Sequence, residues 1–155
     1  MPTFTTHRQI AHTAHEMFNL VADIESYPEF LPMCEALIIR SRKEYEEKTL
    51  LLADMTVGYK MIREMFTTQV LLQPKKNLIE VKYIDGPFKY LENHWVFHQI
   101  QNMNACNVEF FINYEFKSKM LELLTGSMFD IAFHKFTNAF EKRAHQIYGV
   151  LEINS

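Results

Sequence analysis

The chain has 155 residues, 48% of them apolar and 23% charged. That balance excludes a disordered protein and fits one domain of ordinary size, residues 1–155, able to bury roughly 70% of its unfolded surface. A net charge of −3 and a pI near 6.2 provide no overall basic field for nucleic acid or an anionic membrane, so no DNA partner is expected. The two cysteines, Cys34 and Cys106, supply no disulfide framework and suit a reducing cytoplasm.

The first element expected is a strand over Thr3–Ile10, which starts too early to leave room for a transit peptide. Thr13 then caps a helix running to Asp23, with Glu16 three residues on as its capping-box partner and Met17, Phe18 and Val21 facing inward. Ser26–Pro32 is bounded by proline and holds at most one or two helical turns. Strands follow at Ala36–Ser41 and Lys48–Val57, separated by turn residues Ser41–Glu47, and then at Lys60–Leu72 after Gly58. Pro74 ends that strand, Asn77–Ile84 forms the next, and Asp85-Gly86-Pro87 is a turn by its chemistry. Phe88–Ile100 carries Leu91, Trp95 and Phe97 at strand parity.

From Asn107 to Lys117 the alternation is strict. Val108, Phe110, Ile112, Tyr114 and Phe116 point one way, polar residues the other, and Phe111 is the one violation. The period then changes to three or four, with Leu121, Leu124, Met128, Ala132, Phe136, Ala139 and Ile147 forming the stripe of a helix on the order of 40 Å long. Gly126 falls inside it as either a kink or an early break. The order β-α-α-β6-α with consecutive hairpins implies an α+β domain, one antiparallel sheet of about seven strands covered by a long C-terminal helix. If the sheet curves, its concave face and the helix can enclose a space. No run of about 18 apolar residues suggests a transmembrane helix.

No Gly-rich phosphate loop, nucleophile elbow or H-E-x-x-H motif is present. His94 and His98 fall in a strand about 13 Å apart, too far for one ion, and read as surface or sheet-packing residues. The basic groups Arg40, Arg42, Lys43 and Lys75, Lys76 read as solvated turns, the first offset by Glu44, Glu46 and Glu47. Arg63, Glu64, Tyr83, Tyr114 and Arg143 are the titratable groups on or near inner faces, and no two of them make an acid/base dyad. Arg143 lies near the apolar stripe, where it either snorkels to a carboxylate or carbonyl, or orients a ligand oxygen or closes the end of an enclosed space.

Three motifs carry a family resemblance. Tyr27-Pro28-Glu29-Phe30-Leu31-Pro32-Met33-Cys34 is similar to the signature Y-x-x-F-L-P-W-C, with Met33 where Trp is common. Asp85-Gly86-Pro87-Phe88-Lys89-Tyr90-Leu91, with Trp95 and Phe97, resembles G-P-F-x-x-L-x-x-x-W-x-F. Ala139–Ala144 and Tyr148-Gly149 resemble the closing helix. The family is that of coenzyme Q-binding proteins and ribosome-association toxins, within the START-like, polyketide cyclase/dehydrase superfamily of helix-grip folds. The resemblance implies a hydrophobic cavity between sheet and helix that binds ubiquinone or a related isoprenoid lipid without turnover, in support of respiration. It equally implies a rival role, blocking ribosomal subunit joining, and more remotely an aromatic polyketide cyclase.

A cavity lined by Phe, Met and Leu could hold an isoprenoid by transfer free energy alone, about 0.8 kcal/mol per buried CH₂. Its expected lining is Met55, Phe66, Tyr83, Trp95, Phe97, Phe110, Ile112 and Tyr114 from the sheet, with Met128, Ala132, Phe136, Phe140 and Arg143 from the helix. Phe30, Leu31 and Met33 would form its mouth. Ordinary core packing is the alternative for each. No cofactor beyond the bound lipid is required, no metal site is expected, and the expected location is the cytoplasm with at most peripheral contact with the inner membrane.

Overall fold

The structure, a computed structural model, describes residues 3–59 and 61–149, with side chains for all of these except 59 and 124–130. Strand β1 (Thr3–Ile10) leads into helix α1 (Ala14–Ala22) and a 3₁₀ turn at Ile24–Glu29. Strands β2 (Cys34–Glu44), β3 (Thr49–Tyr59), β4 (Ile62–Gln73), β5 (Leu78–Asp85), β6 (Phe88–Gln99) and β7 (Cys106–Phe116) follow, and helix α2 (Lys119–Tyr148) closes the chain. The strands form one antiparallel sheet in the order β1-β7-β6-β5-β4-β3-β2. The fold is the helix-grip arrangement expected from the sequence.

Local sequence accounts for most of these boundaries. The Thr13 hydroxyl accepts the Glu16 N–H while the Glu16 carboxylate accepts the Thr13 N–H, so the capping box of α1 is complete. Helix α1 buries Met17, Phe18, Leu20 and Val21. Ser118 caps α2 by accepting the Leu121 N–H. The backbone of α2 is helical through Gly126, so that glycine is not a break.

Two expectations need correction. The β2–β3 turn is shorter than Ser41–Glu47, because Arg42, Lys43 and Glu44 continue the ladder opposite Leu51, Leu50 and Thr49. Backbone pairing needs no apolar side chain, and an edge strand exposed at this end gives no periodic signal. At the end of α2, Ile147 is exposed rather than inward-facing. The inner face runs through Phe133, Phe140 and Ala144, and one turn later Tyr148 takes the position, donating its hydroxyl to the Glu16 carbonyl at 2.9 Å.

The register of β2 shifts at Cys34/Ala36 and Ile39/Ser41, that of β4–β5 at Thr67/Thr68, and that of β6–β7 at Phe88/Tyr90. Bulges of this kind bend strands and strengthen the twist that lets the sheet curl around α2. Under α1 the concave face is solid: Phe18 meets Phe97 edge-on at 6.0 Å, and Met17, Val21 and Cys106 are fully buried. Toward β3, β4 and β5 the packing leaves a space.

Candidate functional site

The inward side chains of the sheet, the 3₁₀ turn and α2 surround a cavity of about 150 Å³. Its floor is Leu31, Cys34, Ala53, Val70, Ile79, Leu91, Trp95, Phe110, Ile112 and Tyr114, all buried. Phe133, Phe136 and Phe140 close it from α2, and Ile24 and Tyr27 close it from the 3₁₀ turn. At the other end Met33, Leu37, Met55, Val57, Phe66 and Val81 are only half-buried, which marks the side nearest solvent. The walls are aromatic and interlocked: Trp95 meets Phe110 at 4.6 Å and Phe140 at 5.0 Å, and Phe133 meets Tyr114 at 5.7 Å.

Of the residues expected to line it, the structure brings together Leu31, Met33, Met55, Phe66, Trp95, Phe110, Ile112, Tyr114, Phe136 and Phe140. Five expected residues sit elsewhere, Arg143 among them. Phe97 points inward, but α1 covers it through Phe18. Tyr83 is held at the edge by its hydroxyl, which accepts the Phe88 N–H at 3.0 Å. Ala132 is buried but does not line the cavity. Phe30 lies outside the lining, its ring edge-on to Phe140 at 5.3 Å. The side chain of Met128 lies outside the described residues.

Arg143 resolves toward the snorkelling alternative. Its Nη2 donates to Glu29 Oε1 at 3.1 Å, and its guanidinium lies 5.2 Å above the Phe30 ring. It ties α2 to the 3₁₀ turn from outside the cavity. Arg63 likewise faces away, paired with the Glu35 carboxylate at 2.5 Å.

The mouth segment is specified by three features. The Tyr27 hydroxyl donates to the Val21 carbonyl, fixing the turn against the end of α1. Burial pushes that phenol far above its ordinary pKa, so it stays protonated as a donor. Met33 has φ 69°, a left-handed conformation uncommon outside glycine, and its carbonyl accepts the Gly58 N–H at 2.9 Å. Gly86 has φ 145°, and a Cβ there would lie 2.5 Å from the Phe66 Cβ, so only glycine lets the β5–β6 turn close on this cavity wall.

Apolar lining residues such as Ala53, Val70, Ile79 and Phe133 were not among those expected, and neither were two polar ones, Thr68 and Asn93. Each of the two polar residues interrupts the apolar lining of its strand, between Phe66 and Val70 on β4 and between Leu91 and Trp95 on β6. That interruption was the available signal.

Outside the cavity, the histidine pair is a sheet-surface feature. His94 and His98 reach opposite oxygens of the Glu109 carboxylate at 3.1 and 3.6 Å, and Phe111, the break in the β7 alternation, stacks on His94 at 4.9 Å. No group of three metal-ligating side chains occurs among the described residues. Burial pushes the Cys34 and Cys106 thiols up to about 11. No helix among the described residues is long and apolar enough to cross a membrane.

A ribosome association toxin of Vibrio cholerae is 37% identical over 140 residues, covering 90% of this chain and 93% of that relative. A mitochondrial coenzyme Q-binding protein of Drosophila melanogaster is 28% identical over 155 residues, covering 98% of this chain and 62% of that relative. The solution structure of an 18 kDa protein of Caulobacter crescentus is 31% identical with a TM-score of 0.80, over 97% of this chain and 100% of that one. Residues 10–141 match the family model described as polyketide cyclase/dehydrase and lipid transport. With that match spanning most of the sheet and helix that enclose the cavity, the chain belongs to the polyketide cyclase/dehydrase and lipid transport family.

Proposed function

We propose that this protein binds an apolar ligand, ubiquinone or a related isoprenoid lipid, between its sheet and α2 as a non-catalytic carrier. The observation that carries this reading is an aromatic-walled cavity with no acid/base pair facing it among the described residues. Among the described residues, Cys34 and the tyrosines are the titratable groups in its lining, and burial keeps Cys34 and Tyr27 protonated at neutral pH. Such a site holds a guest by removing apolar surface from water rather than by turning it over. The volume also sets a limit. About 150 Å³ is the size of an engineered protein cavity that accepts one benzene, so it takes one ring or one to two isoprene units and the rest of a long tail must extend outward. A guest this apolar must be exchanged with a lipid phase, which motivates transient peripheral contact with a membrane. Organic extraction of the purified protein followed by mass spectrometry tests the reading: co-purifying quinone or isoprenoid supports it, and absence of both, with no uptake on addition, overturns it.

The 37% identity to a relative named as a ribosome association toxin favours one second reading, binding to a ribosomal subunit so as to hinder subunit joining. Sucrose-gradient profiles with added protein test it. A shift from monosomes to free subunits is expected, and an unchanged profile rejects it.

A further inference from the structure

The polar interruptions of the cavity wall point to how a guest is oriented. Thr68 is 6% exposed and lines the cavity, and its hydroxyl has no hydrogen-bond partner among the described residues. A buried hydroxyl without a partner costs free energy, and threonine offers valine as an equally shaped apolar alternative. Strand parity points this hydroxyl inward, since Phe66, Thr68 and Val70 alternate onto the cavity face of β4. Thr67 pairs with Asp85 and Thr68 with Tyr83, leaving Ile84 as the extra residue of a bulge. Thr67 is directed to the outer face, where it donates to Asp54 at 2.6 Å, and Thr68 to the cavity.

Asn93 supplies the second group. Its Nδ2 donates to the Phe111 carbonyl at 2.8 Å, which fixes the amide and leaves Oδ1 without a partner among the described residues. Asn93 lies on the pairing row Val70–Val81–Asn93–Ile112, and Thr68 lies one row nearer the half-buried end, opposite Ala53. The two therefore stand on strands separated by β5, their backbones roughly 10 Å apart laterally, on a concave face that draws their side chains together. Behind them the cavity ends on Ile79, Trp95 and Phe110.

We propose that Thr68 and Asn93 anchor the oxygen atoms of a benzene-sized ring that binds head-inward with its apolar tail leading out past Met33, Asn93 donating the second hydrogen of its Nδ2 to a quinone carbonyl or accepting at Oδ1 from a quinol hydroxyl. The proposal rests on the reading of this cavity as an apolar-ligand site and adds its orientation and its polar contacts. A hydrocarbon tail in the same place would leave both groups facing methylenes. An oxygen-bearing ring satisfies the Thr68 hydroxyl, as donor to a carbonyl or acceptor from a phenol, while its faces rest on the aromatic walls.

Trp95 is the single tryptophan and lines the cavity, so its fluorescence reports occupancy. Duroquinone is titrated directly, and durene, the same methylated ring without oxygens, is titrated as its competitor. The ring of duroquinone is fully substituted, so Cys34 has no free ring position to add to. The expected result is about tenfold tighter binding of duroquinone than durene to the wild type. Thr68→Val should weaken duroquinone about 5- to 10-fold, the range of one lost hydrogen bond. It should leave durene unchanged and leave the thermal midpoint level or raised, while Thr68→Ser keeps the preference. Equal binding of the two rings by the wild type, a measurement that needs no variant, overturns the anchor while leaving the cavity reading intact. Undiminished duroquinone affinity in Thr68→Val does the same. If neither ring binds the wild type, both readings fail.

Discussion

Filling the cavity separates a binding site from imperfect packing. Ala53 is 2% exposed, lines the cavity and stands opposite Thr68 across β3 and β4. At about 24 cal/mol per Å³, the unfilled volume of about 150 Å³ costs the empty protein roughly 3.6 kcal/mol. Ala53→Leu adds three carbons to that space, worth about 2.4 kcal/mol at 0.8 kcal/mol each. Imperfect fit would take back about 1–3 kcal/mol. The net effect on the empty protein therefore lies close to zero, between a gain of about 1.4 kcal/mol and a loss of about 0.6 kcal/mol. Ligand retention should instead collapse, since the new side chain occupies the volume that a ring would need. The assay is the urea midpoint at unchanged m-value, paired with the amount of lipid recovered per mole of protein. A loss of several kcal/mol would refute the argument, because the space would then not exist to be filled. A stable variant that keeps its full lipid load would refute it equally, because the guest would then sit elsewhere.

Three further outcomes follow from single residues. Gly86→Ala should lower stability by about 2 kcal/mol and weaken ligand binding, because its Cβ would press on Phe66 at 2.5 Å in a backbone conformation that favours glycine; an unchanged thermal midpoint rejects that close approach. Cys34 and Cys106 are buried with thiols pushed up to about 11, so iodoacetamide at pH 8 should modify neither in the native protein and both in urea, and a native adduct seen by mass spectrometry would count against this. His12 is 4% exposed, its Nε2 lies 2.8 Å from His145 Nδ1, and burial followed by His145 lowers its pKa. The unfolded chain therefore binds this proton more tightly, so the stabilisation is present above about pH 6.5 and is lost as pH falls below it. The urea midpoint should drop between pH 7 and pH 5, and His12→Asn should flatten the drop; equal slopes in the two proteins would show that another group titrates.

The order and type of the elements were legible because the periods that reveal them are local. The β7 alternation, the Thr13–Glu16 capping box and the Asp85-Gly86-Pro87 turn each depend on residues within one or two turns of each other. The cavity was only partly legible, because parity tells which face a side chain is on and not what lies over it. Trp95 and Phe97 share one face of β6. Trp95 borders the space beneath α2, while Phe97 is covered by Phe18 of α1, a residue nearly 80 positions away in sequence. No periodicity within β6 carries that difference. The stretch Arg42–Glu44 fails in the other direction, since its pairing with β3 leaves no apolar imprint at all.

Side-chain length decides which polar residues on an apolar face point to a ligand. Arg143 lies near the apolar stripe of α2, yet its stem is long enough to carry the guanidinium out to Glu29 and over Phe30. A long polar side chain on an inner face can thus find a partner at the rim and need not mark a site. Thr68 has no such reach, since its hydroxyl sits one bond beyond Cβ and must be satisfied on the wall that bears it or by what enters the space. Asn93 is intermediate, with one end of its amide committed to the Phe111 carbonyl and the other left to the cavity. A short polar residue interrupting an apolar strand row, too short to reach the rim, is therefore a stronger sign of a bound oxygen than a half-buried arginine near the same pocket.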